Sequence, residues 1–201
     1  MPDYYYTQEP ASAHKERSIT ARALGLTLSF ETDAGVFSKN ELDPGSRLLI
    51  ESMGALSGRV LDLGCGWGPV GTFLSLANPQ AQLVMSDVNE RALDLAIRNV
   101  QKNGMQAKAV LSDGFAHIEG EFDAVITNPP IRAGKAVIYQ MFADAKSHLV
   151  DGGRLFLVIR KQQGAPSALK HLQETFGNAE VIAKGGGYWI IRSVKGKEEE
   201  A

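Results

Sequence analysis

The residues best suited to chemistry are Asn128, Pro129 and Pro130, which follow an apolar stretch from Phe122 to Thr127. Asparagine offers a neutral side-chain carbonyl. Pro129 adds a backbone carbonyl, and the paired prolines stiffen the loop and fix where it points. Two neutral acceptors suit the two N–H bonds of a flat NH2 group. Such a nitrogen, on a nucleobase or an amide, is a poor nucleophile because its lone pair is delocalised into the π system. Holding both hydrogens out of plane frees that lone pair, and preorganised oxygens then stabilise the positive charge that develops on nitrogen. Alignment for in-line displacement contributes about 7–11 kcal/mol at most. No strong general base is required, since the product ammonium loses its proton readily. The bland alternative is a turn after a strand, where Pro-Pro is ordinary.

Upstream, Val60-Leu61-Asp62-Leu63-Gly64-Cys65-Gly66-Trp67-Gly68-Pro69 reads as a buried strand running into a glycine loop that opens a helix. Glycines let a backbone turn sharply and approach a ligand with no Cβ in the way. Gly66, Gly68 and Gly71 match a Gly-x-Gly-x-x-Gly dinucleotide pattern. Counted from Gly64, however, the third glycine position is Pro69. Asp62 at the strand end would repel a pyrophosphate but can bind an ammonium. Asp87 ends the next strand, where a carboxylate can accept from both ribose hydroxyls. Asp113, in Ser112-Asp113-Gly114-Phe115, ends a third strand and can accept from an adenine amino group. Each aspartate also suits a helix N-cap or a loop turn. Joined to Asn-Pro-Pro, the set points to methyl transfer from S-adenosylmethionine to an amino group. A nicotinamide oxidoreductase is the rival from another reaction class, opposed by Asp62 and Pro69. A cofactor-binding protein without catalysis is opposed by an intact Asn128.

The elements that must position these residues alternate along the chain. Ile19 to Phe30 reads as a hairpin turned at Leu24-Gly25, and Leu42 to Met53 as a helix with Pro44 near its start. Strand 59–63 precedes helix 69–77; strand 81–86 precedes helix 90–102, capped by Asn89; strand 106–111 follows. Strand 122–127 precedes helix 136–149, and strand 154–160 precedes helix 166–175. Strands 179–184 and 188–193 flank Gly185-Gly186-Gly187, a hairpin turn that sets the last strand antiparallel to its neighbour. The predicted fold class is α/β, a mostly parallel sheet with helices on both faces. The expected organisation is an N-terminal arm and hairpin over 1–40 packed on the core, one catalytic domain over 41–195, and a disordered tail over 196–201.

Bulk properties bound the function classes. A chain of 201 residues with 44% hydrophobic residues is long enough for one α/β domain with a core. No apolar run approaches the roughly 20 residues that span a bilayer, and Met1-Pro2-Asp3-Tyr4-Tyr5-Tyr6 lacks a signal pattern. One cysteine cannot form an internal disulfide, which fits a cytoplasmic protein. A net charge of −2 argues against a broadly basic, non-specific nucleic-acid binder, though not against a local basic rim. His14, His117, His148 and His171 show no metal spacing. Cys65 reads as a small packing residue rather than a nucleophile, and Trp67 as packing beside the loop.

At these residues the chain resembles the class I S-adenosylmethionine-dependent methyltransferases, and more narrowly the RsmC-like ribosomal RNA guanine-N2 methyltransferases. The narrower resemblance rests on Tyr5 to Pro10, Thr32 to Ser38, Val60 to Gly71, Asp87-Val88-Asn89, Asn128 to Lys135 and Arg160 to Pro166. It implies a Rossmann-like, seven-stranded sheet with a reversed last strand. It implies a cofactor site from Asp62, Gly64, Gly66, Asp87, Val88, Asp113, Gly114 and Asn128, with Phe37 nearby. It implies transfer to guanine N2 in small-subunit ribosomal RNA, with the RNA or a small-subunit particle as partner and neither membrane nor metal involved. Larger relatives carry a degenerate methyltransferase-like domain ahead of the catalytic one, which this chain is expected to lack. Related enzymes often place an aromatic residue after Asn-Pro-Pro to stack on the target base. Here it is Ile131, so stacking falls to Phe37 or an N-terminal tyrosine. Arg132, Lys135, Arg160 and Lys161 follow strand ends on the same side and can hold RNA phosphates or simply be solvated. A protein glutamine N-methyltransferase and an adenine N6 methyltransferase are the near rivals.

Overall fold

A computed structural model describes residues 14–197. The tyrosine-rich stretch at Tyr4 to Pro10 and the last four residues lie outside the described residues. The elements are β1 (Arg17–Ala23), β2 (Leu26–Thr32), α1 (Pro44–Ser52), β3 (Arg59–Leu63), α2 (Pro69–Ala77), β4 (Gln82–Asp87), α3 (Glu90–Lys102), β5 (Lys108–Leu111), β6 (Phe122–Thr127), α4 (Lys135–Ser147), β7 (Leu149–Arg160), α5 (Ala165–Phe176), β8 (Glu180–Gly185) and β9 (Tyr188–Val194). Seven strands form one sheet in the order β5-β4-β3-β6-β7-β9-β8, and β1-β2 is a separate antiparallel pair. Strand β9 runs antiparallel to both β7 and β8, while the pairs from β5 to β7 are parallel. The α/β sheet with its reversed last strand is therefore the architecture expected from the sequence.

Local chemistry sets the element ends. Pro44 opens α1 beneath an Asp43 cap whose side chain accepts from Ser46 N at 2.8 Å. Gly68 enters α2 in the left-handed region at φ +85°, ahead of Pro69. Asn89 caps α3 by accepting from Ala92 N at 3.2 Å. Gly186 and Gly187, at φ +55° and +83°, make the two-residue turn between β8 and β9.

Alternate strand residues feed two apolar layers. Val60, Met85, Ala124, Ile126, Phe156 and Ile190 pack under α1, α2 and α3, and Leu61, Val84, Val125, Leu155, Leu157 and Ile191 pack under α4 and α5. Both faces are thus covered, as parallel strands require. The hairpin joins the first layer through Ala21, Ala23 and Phe30, with Phe30 edge-on to Trp67 at 5.0 Å. Asn99 in α3 staples the two regions: its Oδ1 accepts from Glu31 N at 2.7 Å, and its Nδ2 donates to the carbonyls of Glu31 and Trp67, each at 2.8 Å.

The largest departure from the sequence-based boundaries is at β7. It begins at Leu149, five residues before the expected 154, and α4 correspondingly stops at Ser147 rather than 149. Fully buried Leu149 pairs with Phe122, and the ladder then slips before resuming at Ala124↔Arg154. The apolar period of α4 continues through this irregularity, so periodicity alone overruns it.

Candidate active site

Strand register assembles the site. Leu63 pairs with Ser86 on one side and Thr127 on the other, so the residues that follow, Gly64, Asp87 and Asn128, leave the sheet side by side at its carboxyl edge. Asp87 in turn pairs with Leu111, which brings Ser112, Asp113 and Gly114 to the same edge. In open α/β sheets this edge is where ligands bind.

The glycines divide by what surrounds them. A Cβ on Gly64 or Gly66, at φ +71° and +56°, would meet nothing within 4 Å, so both face open space. Gly114, at φ +54°, is open in the same way. A Cβ on Gly68 would lie 2.9 Å from Ala96 Cα, and one on Gly71 would lie 2.9 Å from Met85 Cε. The first three leave a cradle for a ligand, and the other two let α2 pack on β4 and α3. The dinucleotide-like spacing of Gly66, Gly68 and Gly71 therefore mixes two unrelated requirements.

The carboxylates sit deeper than a rim position would need. Asp62 is only 2% exposed, and its Oδ2 accepts from Gly71 N at 2.9 Å. Burial, with the Asp87 charge adding to it, raises Asp62 to about 7. Asp87 Oδ2 accepts from Gly66 N at 2.8 Å and its Oδ1 from Asn89 N at 2.9 Å, while burial raises its pKa as well. One carboxylate thus braces the helix behind the loop and the other holds the loop itself. Val88 is half-buried between Asp87 and the α3 cap, and Asp113 is exposed beside half-buried Gly114. Burial pushes the Cys65 thiol well up, consistent with a packing residue.

Phe37 is brought to the loop by backbone ties. The Trp67 indole N–H donates to Phe37 O at 3.0 Å, and Asn89 Nδ2 donates to Gly35 O at 3.1 Å. Phe37 is 40% exposed. Trp67 is itself buried beneath the loop.

On the other side of the edge, half-buried Asn128 precedes buried Pro129 and half-buried Pro130. Asn128 Nδ2 donates to Ser46 Oγ at 3.0 Å and to Asp43 Oδ2 at 3.3 Å. Tyr188, the first residue of β9, donates its hydroxyl to Asp43 Oδ1 at 3.1 Å. The Arg160 guanidinium stands 4.7 Å over the Tyr188 ring. Asp43, Ser46 and Tyr188 carry no sequence pattern of chemistry; only the Asp43-Pro44 pair reads locally, as a helix cap. Ile131 is half-buried against the second apolar layer. Arg132 and Lys135 are exposed on the segment that follows β6, and Arg160 and Lys161 are exposed at the end of β7 and just past it. Among the described residues no helix is long and apolar enough to cross a membrane, and no cluster of His, Cys, Asp or Glu could hold a metal ion.

Comparison with known proteins places this arrangement among relatives. The family described as the methyltransferase small domain matches residues 27–192. An uncharacterized protein, YbxB, of Bacillus subtilis strain 168 is 40% identical over 200 residues, covering 97% of this chain and all of that protein. The ribosomal RNA small subunit methyltransferase C of Mannheimia succiniciproducens is 40% identical over 155 residues, covering 75% of this chain but 46% of its own length. A solved structure of the Thermus thermophilus 16S rRNA N2 G1207 methyltransferase, in complex with AdoMet and guanosine, superposes with a TM-score of 0.79 at 28% identity, covering 93% of this chain and 52% of that one. The chain therefore spans about half the length of the relatives whose names carry an activity.

Proposed function

The chain belongs to the methyltransferase small domain family, and on that premise we propose that it transfers a methyl group from S-adenosylmethionine to N2 of guanine in small-subunit ribosomal RNA. The observation that carries the reading is the orientation of Asn128. Its amide nitrogen is spent on Ser46 and Asp43, so its carbonyl is the atom left to accept from an incoming amine. The relatives named for ribosomal RNA, and the one solved with AdoMet and guanosine, supply the substrate class.

When bound, S-adenosylmethionine supplies a methyl carbon made electrophilic by a sulfonium. The chain's residues do the rest. Asn128 Oδ1 and Pro129 O accept the two N–H bonds of the target amine, which frees its lone pair and stabilises the charge that develops on it. Pro130 keeps the Pro129 carbonyl in direction. Gly64 and Gly66 let the ligand come close to the backbone, with no Cβ in the cradle. Asp62 supplies negative charge for the ammonium of the methionine moiety. Asp87, pinned by the Gly66 and Asn89 amides, accepts from the ribose hydroxyls with its remaining lone pairs. Val88, Asp113, Gly114 and Phe37 border the adenine. Ile131 adds an apolar side to the target-base pocket, and Arg132, Lys135, Arg160 and Lys161 hold RNA phosphates. A cytoplasmic location goes with such a substrate.

The test is to incubate naked ribosomal RNA, small-subunit particles and protein fractions with labelled S-adenosylmethionine and analyse nucleosides and amino acids by mass. The expected product is N2-methylguanosine in small-subunit RNA. N6-methyladenosine, or label confined to protein glutamine, would replace the proposal with the corresponding rival.

A further inference from the structure

Asparagine is a symmetric-looking choice for a residue that must present oxygen. A half-turn of the carboxamide exchanges its NH2 and C=O, and a free side chain would show the reacting amine a donor part of the time. A donor facing an N–H repels it. Something must break that near-symmetry, and the groups packed behind Asn128 have the chemistry to do so.

We infer that Asp43 and Ser46 at the start of α1, with Tyr188 behind them, are positioning residues that lock the Asn128 carboxamide oxygen-outward. This rests on the proposed role of Asn128. A carboxylate can only accept, so Asp43 tolerates the NH2 of Asn128 and excludes its carbonyl. Ser46 Oγ, at 3.0 Å from Nδ2, accepts a second bond. Asp43 is itself immobilised: Oδ2 also takes Ser46 N at 2.8 Å, and Oδ1 takes the Tyr188 hydroxyl at 3.1 Å. Burial raises the Tyr188 phenol, so it stays a donor.

The backbone is shaped to allow this contact. A Cβ on Gly45 would lie 2.6 Å from the Tyr188 ring carbons and 2.9 Å from Asp43 Oδ2, so only glycine lets the ring reach under the helix. Cross-strand pairing sets Tyr188 opposite Arg160. The start of α1 thus backs the amide that follows β6, and β9 braces the start of α1 in turn. The contacts bridge 82, 85 and 145 residues of chain.

The experiment measures kcat, the RNA KM and cofactor affinity by calorimetry for a variant series, using small-subunit ribosomal RNA as substrate. Ser46→Ala keeps the backbone cap and removes one acceptor; kcat should fall roughly tenfold, with KM and cofactor Kd within about twofold. Asp43→Ala should cost on the order of a hundredfold in kcat. Asp43→Asn should recover most of it, because its amide oxygen can still face Asn128 while its NH2 faces the Tyr188 oxygen. Tyr188→Phe should cost about threefold. On an Asn128→Ala background, Ser46→Ala should bring no further loss, since there is no carboxamide left to orient. Melting curves check that each protein is folded, and Ser46→Ala carries the test if Asp43→Ala is not. A Ser46→Ala enzyme at full kcat would overturn the inference, as would a Ser46→Ala loss that multiplies in full on the Asn128→Ala background. An Asn128→Ala enzyme at full rate would instead remove the functional reading and this inference with it.

Discussion

The carboxyl edge of the sheet is built from two opposed materials. On the β3–β4 side the site is backbone and carboxyl groups: open glycines, with Asp62 and Asp87 tied to the amides of Gly71 and Gly66. On the β6–β7 side it is a neutral amide, two prolines and a fringe of exposed cations. The first half suits a small ligand that carries its own ammonium, because a carboxylate in a low-dielectric site is strengthened as a partner. On the proposed reading the second half must not carry charge where the amine reacts. A carboxylate beside the attacking nitrogen would also grip a positive ammonium and slow its release, whereas an amide carbonyl stabilises the developing charge without a full counter-charge. Solvated cations farther out suit a polyanion, where reach matters more than fixed geometry.

The comparison breaks most sharply at Asn128. Asn128→Ala should lower kcat by about 10²–10³-fold, the scale of losing one preorganised group at the reacting atom. Cofactor affinity, measured by calorimetry, should stay within about threefold. Equal losses in both would mean that the two halves are not functionally separate.

Next comes Asp62→Asn, which should weaken cofactor binding roughly 10- to 100-fold, the range for a charge-assisted bond. The same change should raise thermal stability above neutral pH. The folded chain holds the Asp62 proton up to about 7, whereas an unfolded aspartate releases it near about 4. Between those values the folded state binds more protons, so stability falls as pH rises across the window. The variant should therefore melt higher than the parent at pH 8, with the gap closing toward pH 5. The ligand's cation favours the ionised form, so parent cofactor affinity should increase from pH 6 to pH 8. A flat profile would place the ammonium away from Asp62.

Legibility in the sequence follows the same divide. The glycine loop, the Asn89 cap, the Leu24-Gly25 and Gly186-Gly187 turns and the strand-end aspartates are local patterns, in which residue type and neighbours fix the conformation. The families of alternating strands and helices were readable for the same reason. The support behind Asn128 was not, because Asp43, Ser46 and Tyr188 meet it only through tertiary contacts across distant sequence. The depth of Asp62 was equally hidden: its position at a strand end is local, but its burial depends on α2 folding back over it through Gly71. The irregular start of β7 failed on periodicity, since the slip between Phe122 and Ala124 is a property of the pairing and not of either strand alone.

Within the first half, two glycines can be separated by substitution. Gly64→Ala adds a methyl group to open space at φ +71°, which costs about 1–2 kcal/mol of backbone strain and narrows the cradle. Cofactor affinity should fall about tenfold in calorimetry, a loss of about 1.4 kcal/mol. Gly68→Ala would set a methyl group 2.9 Å from Ala96 Cα and Cβ, so its melting temperature should fall further than that of Gly64→Ala. The reverse order would mean that the loop, and not the packing of α2 on α3, limits stability.

The smallest effects should belong to the cations. Arg132, Lys135 and Lys161 are exposed, and on the proposed reading each contributes only a screened phosphate contact. Alanine at any one should raise the RNA KM only a few-fold and leave kcat and cofactor affinity alone. The informative quantity is the salt dependence: each lost phosphate contact should flatten the slope of log affinity against log salt by about 0.7–0.9. Arg160 should behave differently, because its guanidinium also lies over the Tyr188 ring and Tyr188 braces Asp43. Arg160→Ala should therefore reduce kcat as well as RNA affinity, and Arg160→Lys should restore the salt slope better than the turnover, since an ammonium replaces the charge but not the planar stacking. If Arg160→Ala proved indistinguishable from Lys161→Ala, the cation fringe and the amide would be independent, and the β6–β7 half of the site would consist of two separate parts.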